Sequence, residues 1–135
     1  ASSLVALHTS TEFVDDDIFH WSEGWSGTGE NWYVKRTHAC NIGIEADNNS
    51  INHGATPLSN PTFENITFIG AGAVGSEPQA IKMLVVTNGN FANIVLSNWY
   101  TGFDIKHEEG VALVSQGTLK AHHVRFDTVT NKPKG

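Results

Sequence analysis

The chain has 135 residues, of which 14 are acidic and 8 are basic, and its formal net charge is −6. Charged residues make up 16% of the sequence, below the roughly 25% of an average globular domain, while 39% are hydrophobic. This composition excludes a coiled coil, a charge-rich disordered chain and a basic nucleic-acid-binding domain, so no nucleic-acid partner is expected.

The length and the single cysteine limit the number of domains and exclude disulfide bonds within the chain. A chain of this size predicts one domain, spanning residues 1–135. Cys40 has no second cysteine to pair with, which excludes an intrachain disulfide and a cysteine-based zinc cluster. No segment approaches the ~18 apolar residues of a membrane helix, so no membrane insertion is expected. We expect the chain to be a fragment, or a subunit whose ends are held by neighbours.

The predicted elements are short strands. Apolar or alternating segments stand between clusters of Asn, Gly, Ser and Thr, which is typical of strands and turns. In chain order the predicted strands cover residues 19–21, 44–46, 63–69, 81–83, 91–96, 103–105 and 123–126. Helix patterns are nearly absent, because no segment repeats apolar residues at helical spacing over three turns. The sequence therefore predicts an all-β protein.

The strands also repeat. The segment 65–68 recurs as 93–96 and, more weakly and at a similar interval, as 123–126. A second motif, apolar-polar-apolar, is shared by the triplets at 19–21, 44–46, 81–83 and 103–105. Periods of about 20 to 50 residues with all-β content indicate a parallel β-solenoid, here of about five coils. Asn65 and Asn93 share one repeat position, which predicts an asparagine ladder along a turn.

An antiparallel sandwich is the competing fold, because it also uses many short strands with frequent turns. Tight hairpins would then be expected, and Asn88-Gly89 is the only Asn-Gly or Asp-Gly pair in the chain. The sequence favours the parallel solenoid.

Five motifs follow one another in a fixed order through the first half of the chain. They lie at residues 15–21, 23–27, 31–34, 43–48 and 57–61 and include D-D-D-x-F-x-W, G-W-x-G, G-I-E-A-D-N and P-x-S-N-P. They resemble repeats of a group of right-handed β-helix proteins, secreted or lipid-anchored, from marine and environmental bacteria. The resemblance implies a right-handed β-helix located outside the cell or on the bacterial surface, often as part of a longer helix. It implies little about chemistry.

The acidic residues near the N-terminus are candidate metal ligands. Asp15 and Asp17 face one way if residues 15–17 are extended, and Glu45 and Asp47 would follow on the next coil. Carboxylate oxygens are the ligands that Ca²⁺ prefers, so a calcium site at these four residues is one interpretation. A solvated turn whose aspartates cap backbone N–H groups is the other. No other cofactor is expected.

Aromatic residues cluster in the same region. Trp21, Trp25 and Trp32 lie close together along the chain, and Tyr33 follows directly. An exposed indole can stack on a sugar ring, so Trp25, Trp32 and Tyr33 are candidate ligand-binding residues. The alternative is core packing, since large aromatic side chains bury extensive surface. Trp25 stands between glycines and serines and is expected to be the most exposed of the three tryptophans.

No residue is assigned a catalytic role. The polysaccharide hydrolases of β-helix fold resemble one another in a Gly-His-Gly and an Arg-x-Lys, and both are absent here. Lys82 and Lys106 could serve as the base of a lyase. Lys82, however, falls in an outward column with His20, Glu45 and Asp104, which predicts a surface salt ladder worth a few tenths of a kcal/mol.

Three functions follow from these observations. The first is a non-catalytic extracellular module that binds a glycan or another surface ligand, as in an adhesin. The second is a structural subunit whose open solenoid ends pair into a homo-oligomer or fibre. A polysaccharide lyase or hydrolase is the third.

Overall fold

The computed structural model describes residues 5–7, 19–35, 42–72 and 79–134. These residues form nine strands and one helix. The elements are β1 (Val5–Leu7), β2 (Phe19–Trp21), β3 (Thr28–Glu30), β4 (Tyr33–Lys35), β5 (Ile44–Ala46), β6 (Thr62–Gly72), β7 (Gln79–Met83), β8 (Gly89–Ile105), α1 (Glu108–Gln116) and β9 (Leu119–Lys134).

All nine strands belong to one curled sheet, in which β8 joins two ladders. The strand order is β1-β3-β6-β8-β7-β5-β2, with β4 on β6 and β9 on β8. Every pairing between these described strands is parallel. The all-β, parallel prediction is therefore confirmed, and the antiparallel sandwich is excluded for this part of the chain.

The register follows the repeats of the sequence. Ile66 of β6 pairs with Ile94 of β8, which pairs with Val124 of β9. In the second ladder, His20 pairs with Glu45, Glu45 with Lys82, and Lys82 with Asp104. Both repeats identified in the sequence thus stack residue upon residue, as parallel strands with a common side-chain period require.

The core lies on the concave side of the curled sheet and is rich in aromatic residues. Phe63 of β6 stacks on Phe91 of β8, with ring centroids 5.6 Å apart. Trp21 of β2 packs on both, and Trp32 meets Phe63 edge to face. Side chains alternate between this core and the outer surface along β2, β4 and β5, so the polar member of each triplet points away from the core.

Asparagines line one corner of the sheet. Asn31, Asn65 and Asn93 all adopt left-handed backbone, with φ between 57° and 58°. The Asn65 Nδ2 donates to Asn31 Oδ1 (3.0 Å), and Asn93 Nδ2 donates to Asn65 Oδ1 (3.2 Å). Asparagine tolerates this backbone better than most residues, so it both turns the strand and links successive rungs. The predicted ladder is confirmed and extends to Asn31.

Helix α1 was not predicted. Its nine residues are too short to show helical periodicity over three turns, and Gly110 is its buried residue. The helix ends at Gly117, whose left-handed backbone N–H reaches the Leu113 and Val114 carbonyls. Among the described residues, no helix has the length and apolar character needed to cross a membrane.

Gly43→Ala is expected to destabilise the fold. Gly43 is buried just before β5, where its N–H donates to the Gln79 carbonyl (3.0 Å). A Cβ there would overlap the carbonyl oxygen of Ala80, and backbone cannot move aside as a side chain can. We expect a loss of about 1 to 3 kcal/mol in the free energy of unfolding, measured by urea denaturation.

Gly54→Ala is the matched control, because a Cβ at Gly54 would meet no atom within 4 Å. It should leave the stability unchanged or raise it by up to about 1 kcal/mol. Equal losses from the two substitutions would contradict the close approach of Gly43 to the next rung.

Candidate functional site

A row of ionisable side chains crosses the outer face of the second ladder. His20, Glu45, Lys82 and Asp104 occupy equivalent positions on β2, β5, β7 and β8. Lys82 Nζ lies 3.8 Å from Glu45 Oε2. Asp104 Oδ2 accepts from Lys106 Nζ at 2.8 Å. The order of charges along the row therefore alternates, as the sequence predicts.

The burial of this row differs from the expectation. The side chains of Lys82 and Asp104 are only 6% and 2% exposed, and that of Glu45 is 17% exposed. The prediction of a solvent-exposed ladder worth a few tenths of a kcal/mol is therefore wrong. Charges so far from water need their partners, because an isolated buried charge is costly. Gln79 adds a hydrogen bond to Asp104 Oδ2 (3.2 Å).

Asp47 extends the row at its exposed end. It follows β5 directly, and its Oδ2 lies 3.1 Å from His20 Nε2, within hydrogen-bond distance. The Asp47 backbone N–H donates to the Trp21 carbonyl (2.9 Å), which fixes its position beside β2. One atom each from His20, Glu45 and Asp47 lies within 4.8 Å of the others. These three side chains form the His20 cluster.

An aromatic cavity adjoins the His20 cluster at the β2 edge of the sheet. Its volume is about 360 Å³, and His20 belongs to both features. The residues that line the cavity are Phe19, His20, Trp21, Ser22, Trp25, Trp32 and Phe63. Trp21 is anchored by its indole N–H, which donates to Thr87 Oγ1 (3.2 Å). The site thus combines flat apolar walls with a polar rim.

The three predicted ligand-binding aromatics lie in different environments. Trp25 is partly exposed and packs against Trp21, with ring centroids 6.0 Å apart. Trp32 also lines the cavity, but it is only 2% exposed and stacks on Phe19 at 4.0 Å. Tyr33 is exposed on β4 and is not among the residues that line the cavity. Trp25 is therefore the best placed of the three to meet a ligand.

The predicted metal ligands are only partly described. Asp15 and Asp17 lie outside the described residues. Glu45 and Asp47 are brought together, and their neighbour His20 is not among the ligands predicted from the sequence. The repeated triplets place His20 beside Glu45 and could have identified it as a ligand. The spacing of histidines along the chain could not.

The loop after Asp47 is organised by the last residue of the G-I-E-A-D-N motif, Asn48. Asn48 is 1% exposed, and its Nδ2 donates to the carbonyls of His53 (3.0 Å) and Ala55 (2.8 Å). Its Oδ1 accepts from the Ser59 N–H (3.0 Å). Because these bonds fasten both ends of the loop, the backbone beside Asp47 is held in place.

Comparison with curated proteins and with solved structures gives no match for this chain. Comparison with family models does, and the match extends over residues 1–135. The parallel ladders and stacked repeats described above agree with it. The chain belongs to the family of pectate-lyase-like β-helix domains.

Proposed function

We propose that this domain is a non-catalytic carbohydrate-binding module that acts outside the cell or at the cell surface and binds a neutral glycan in the aromatic cavity. The observation that supports it is a concave site in which partly exposed aromatic rings lie beside the polar side chains of His20 and Ser22. The cavity volume of about 360 Å³ falls in the range of about 300 to 1,000 Å³ that is common for small-ligand sites.

The chemistry of the rim favours hydroxyl groups. His20 and Ser22 are the polar residues that line the cavity, and an imidazole and a hydroxyl can each donate or accept a hydrogen bond. A pyranose offers hydroxyl donors around its edge and apolar C–H groups on its faces. The faces suit the Trp25 indole, while the hydroxyls suit His20 and Ser22.

Charge favours a neutral glycan over a polyuronate. Glu45 and Asp47, which cluster with the cavity residue His20, contribute two negative charges, and Lys82 contributes one positive charge, which is buried. Without a bound metal ion the surplus among these residues is negative, so a carboxylated sugar would be repelled. In the sequence, six acids and no lysine or arginine precede Lys35, and this segment includes the cavity wall from Phe19 to Trp32.

Trp25→Ala tests the proposal. Removing the indole should lower the affinity for a neutral polysaccharide at least about tenfold, since burying one aromatic face is worth about 1.5 kcal/mol or more. The measurement is affinity electrophoresis on a panel of neutral and acidic polysaccharides, followed by calorimetry with oligosaccharides of the best binder. Near-ultraviolet circular dichroism of the variant checks that the core is intact, because Trp25 also packs on Trp21 and Phe63.

Tyr100→Ala is the matched control. Tyr100 is an exposed aromatic residue on β8 that is not among the residues lining the cavity. Its removal should leave the affinity unchanged. A wild-type protein that binds no neutral glycan, or equal losses from both substitutions, would contradict the proposal.

A polyuronate lyase is the second candidate, favoured by the family match and by two lysines, Lys82 and Lys106, that each contact a carboxylate. Such β-elimination needs a base to remove the proton next to the uronate carboxyl group. The same panel separates the two functions. Tight binding of polygalacturonate with release of an unsaturated product that absorbs ultraviolet light would contradict the binding module and support the lyase.

A further inference from the structure

We propose that the His20 cluster binds a first-row divalent metal ion, with Zn²⁺ as the preferred ion. The cluster combines one imidazole with two carboxylates: His20 lies on β2, Glu45 on the neighbouring strand β5, and Asp47 directly after β5. Nothing in this inference depends on carbohydrate binding, because the three ligands are complete without a sugar.

The geometry suits a small ion. Tetrahedral Zn²⁺ holds nitrogen and oxygen ligands at about 2.0 to 2.2 Å, which places two ligand atoms about 3.3 Å from each other. His20 Nε2 and Asp47 Oδ2 are 3.1 Å apart, close to that value. The Glu45 oxygen lies within 4.8 Å of both atoms, so a movement of at most about 1.5 Å, well within reach of a glutamate rotamer change, completes the set.

A second observation at Asp47 points to a cation. The other carboxylate oxygen, Oδ1, is shielded from solvent and accepts no hydrogen bond from the described residues. A buried anionic oxygen without a partner is costly, and water cannot reach this atom. A metal ion bound at Oδ2 would supply positive charge to the same carboxylate, whose negative charge is shared by both oxygens.

The charge balance supports the same ion. Glu45 and Asp47 carry two negative charges, and Lys82 offsets one of them at 3.8 Å from Glu45. Asp104 is paired with Lys106 and adds no surplus. An imidazole that ligates a metal ion adds no formal charge, so these described side chains leave a net charge of −1 at the cluster, which attracts a cation despite the nearby ammonium group.

The ligand set selects zinc over calcium. Ca²⁺ takes six to eight oxygen ligands and rarely a nitrogen, whereas imidazole with carboxylates suits Zn²⁺ and its first-row neighbours. Three protein ligands leave a fourth position open, as in zinc sites that admit water or substrate. His20 is 48% exposed, so that position faces solvent.

Metal titration of the full chain tests the site. The protein is stripped with a chelator, dialysed and titrated by calorimetry with ZnCl₂ alone and, separately, with CaCl₂ alone. We expect one saturable Zn²⁺ site that Ca²⁺ does not fill. His20→Ala and Asp47→Asn should each weaken Zn²⁺ binding at least about tenfold, since even residues that only orient a ligand cost this much. The visible spectrum of the Co²⁺-loaded protein should show tetrahedral bands that His20→Ala removes.

Two controls separate this site from adventitious binding. His122→Ala removes an exposed histidine of β9, and Cys40→Ser removes the only thiol. Both should bind Zn²⁺ as the wild type does. The proposal is overturned if Zn²⁺ affinity survives His20→Ala and Asp47→Asn, if it is lost in either control, or if Ca²⁺ binds more tightly than Zn²⁺. Circular dichroism of each variant ensures that lost binding reflects a lost ligand and not a lost fold.

Discussion

Phe63→Ala is expected to lower the free energy of unfolding by about 3 to 5 kcal/mol, the range for removing a buried phenylalanine ring. Phe63 is 1% exposed and lies at the centre of the aromatic core. Its ring centroid is 5.0 to 6.1 Å from those of four neighbours, which are Trp21, Trp25, Trp32 and Phe91. These rings come from both ladders of the sheet, so the cavity left by alanine cannot close without moving several strands. Urea denaturation followed by tryptophan fluorescence gives the measurement.

Tyr100→Ala serves as the reference for Phe63→Ala. It also removes an aromatic ring from a strand, but 43% of Tyr100 is exposed. Its effect should stay within about 0.5 to 1 kcal/mol. If Phe63→Ala cost no more than Tyr100→Ala, the packing described for the core would be wrong.

Lys82→Met is expected to lower the free energy of unfolding by about 3 kcal/mol, the lower end of what breaking a buried ion pair typically costs. Methionine has nearly the same length and fills the space, so the loss comes from the charge. Breaking such a pair is costly because one charge is left without compensation. The lower end applies here because Asp104 retains its 2.8 Å contact with Lys106, and Glu45 is the residue that loses most.

The double substitution Lys82→Met with Glu45→Gln tests whether the loss of stability comes from an unpaired charge at Glu45. It removes both members of the pair and should recover part of the stability lost in Lys82→Met alone. A double variant that is less stable than the sum of the two single substitutions would show that the two side chains do not form a compensating pair. A single Lys82→Met variant as stable as the wild type would contradict the burial of the row.

Glu45 contributes both to the stability of the row of ionisable side chains and to the proposed metal site. This side chain contacts Lys82 on one side and belongs to the His20 cluster on the other. Loss of Lys82 would therefore make the cluster more negative, so Lys82→Met should bind Zn²⁺ more tightly than the wild type, not less. The buried ladder thus adjusts the electrostatics of an exposed site one rung away.

End-to-end assembly of open solenoid ends stays a prediction. Strand β9 pairs with β8 along one edge, and no other described strand pairs with it. A calcium site that includes Asp15 and Asp17 lies outside the described residues.

The repeats could be predicted from the sequence because each depends on a local pattern. Asn65 and Asn93 recur at one position of the repeat, and the triplets at 19–21 and 44–46 share one order of apolar and polar residues. In a parallel ladder, equivalent positions must stack to bury their apolar residues together, so the repeat fixes the register. The fold class followed from the same reasoning.

The environment of each side chain required the tertiary structure. The pattern placed Lys82 on the outer face correctly but said nothing of what covers that face, so its burial was missed. Trp32 and Trp25 look alike in the sequence, yet Trp32 is covered by Phe19 while Trp25 remains partly exposed. Burial is set by neighbours from distant rungs, which no local pattern contains.

The His20 cluster shows the same division. That His20 and Glu45 occupy one column follows from the sequence, because both stand at the centre of the repeated triplet. That Asp47, one residue beyond β5, turns back to His20 at 3.1 Å is visible in the folded chain alone. Strand positions obey a period of two, whereas the direction of the chain after a strand depends on hydrogen bonds such as that from the Asp47 N–H to the Trp21 carbonyl.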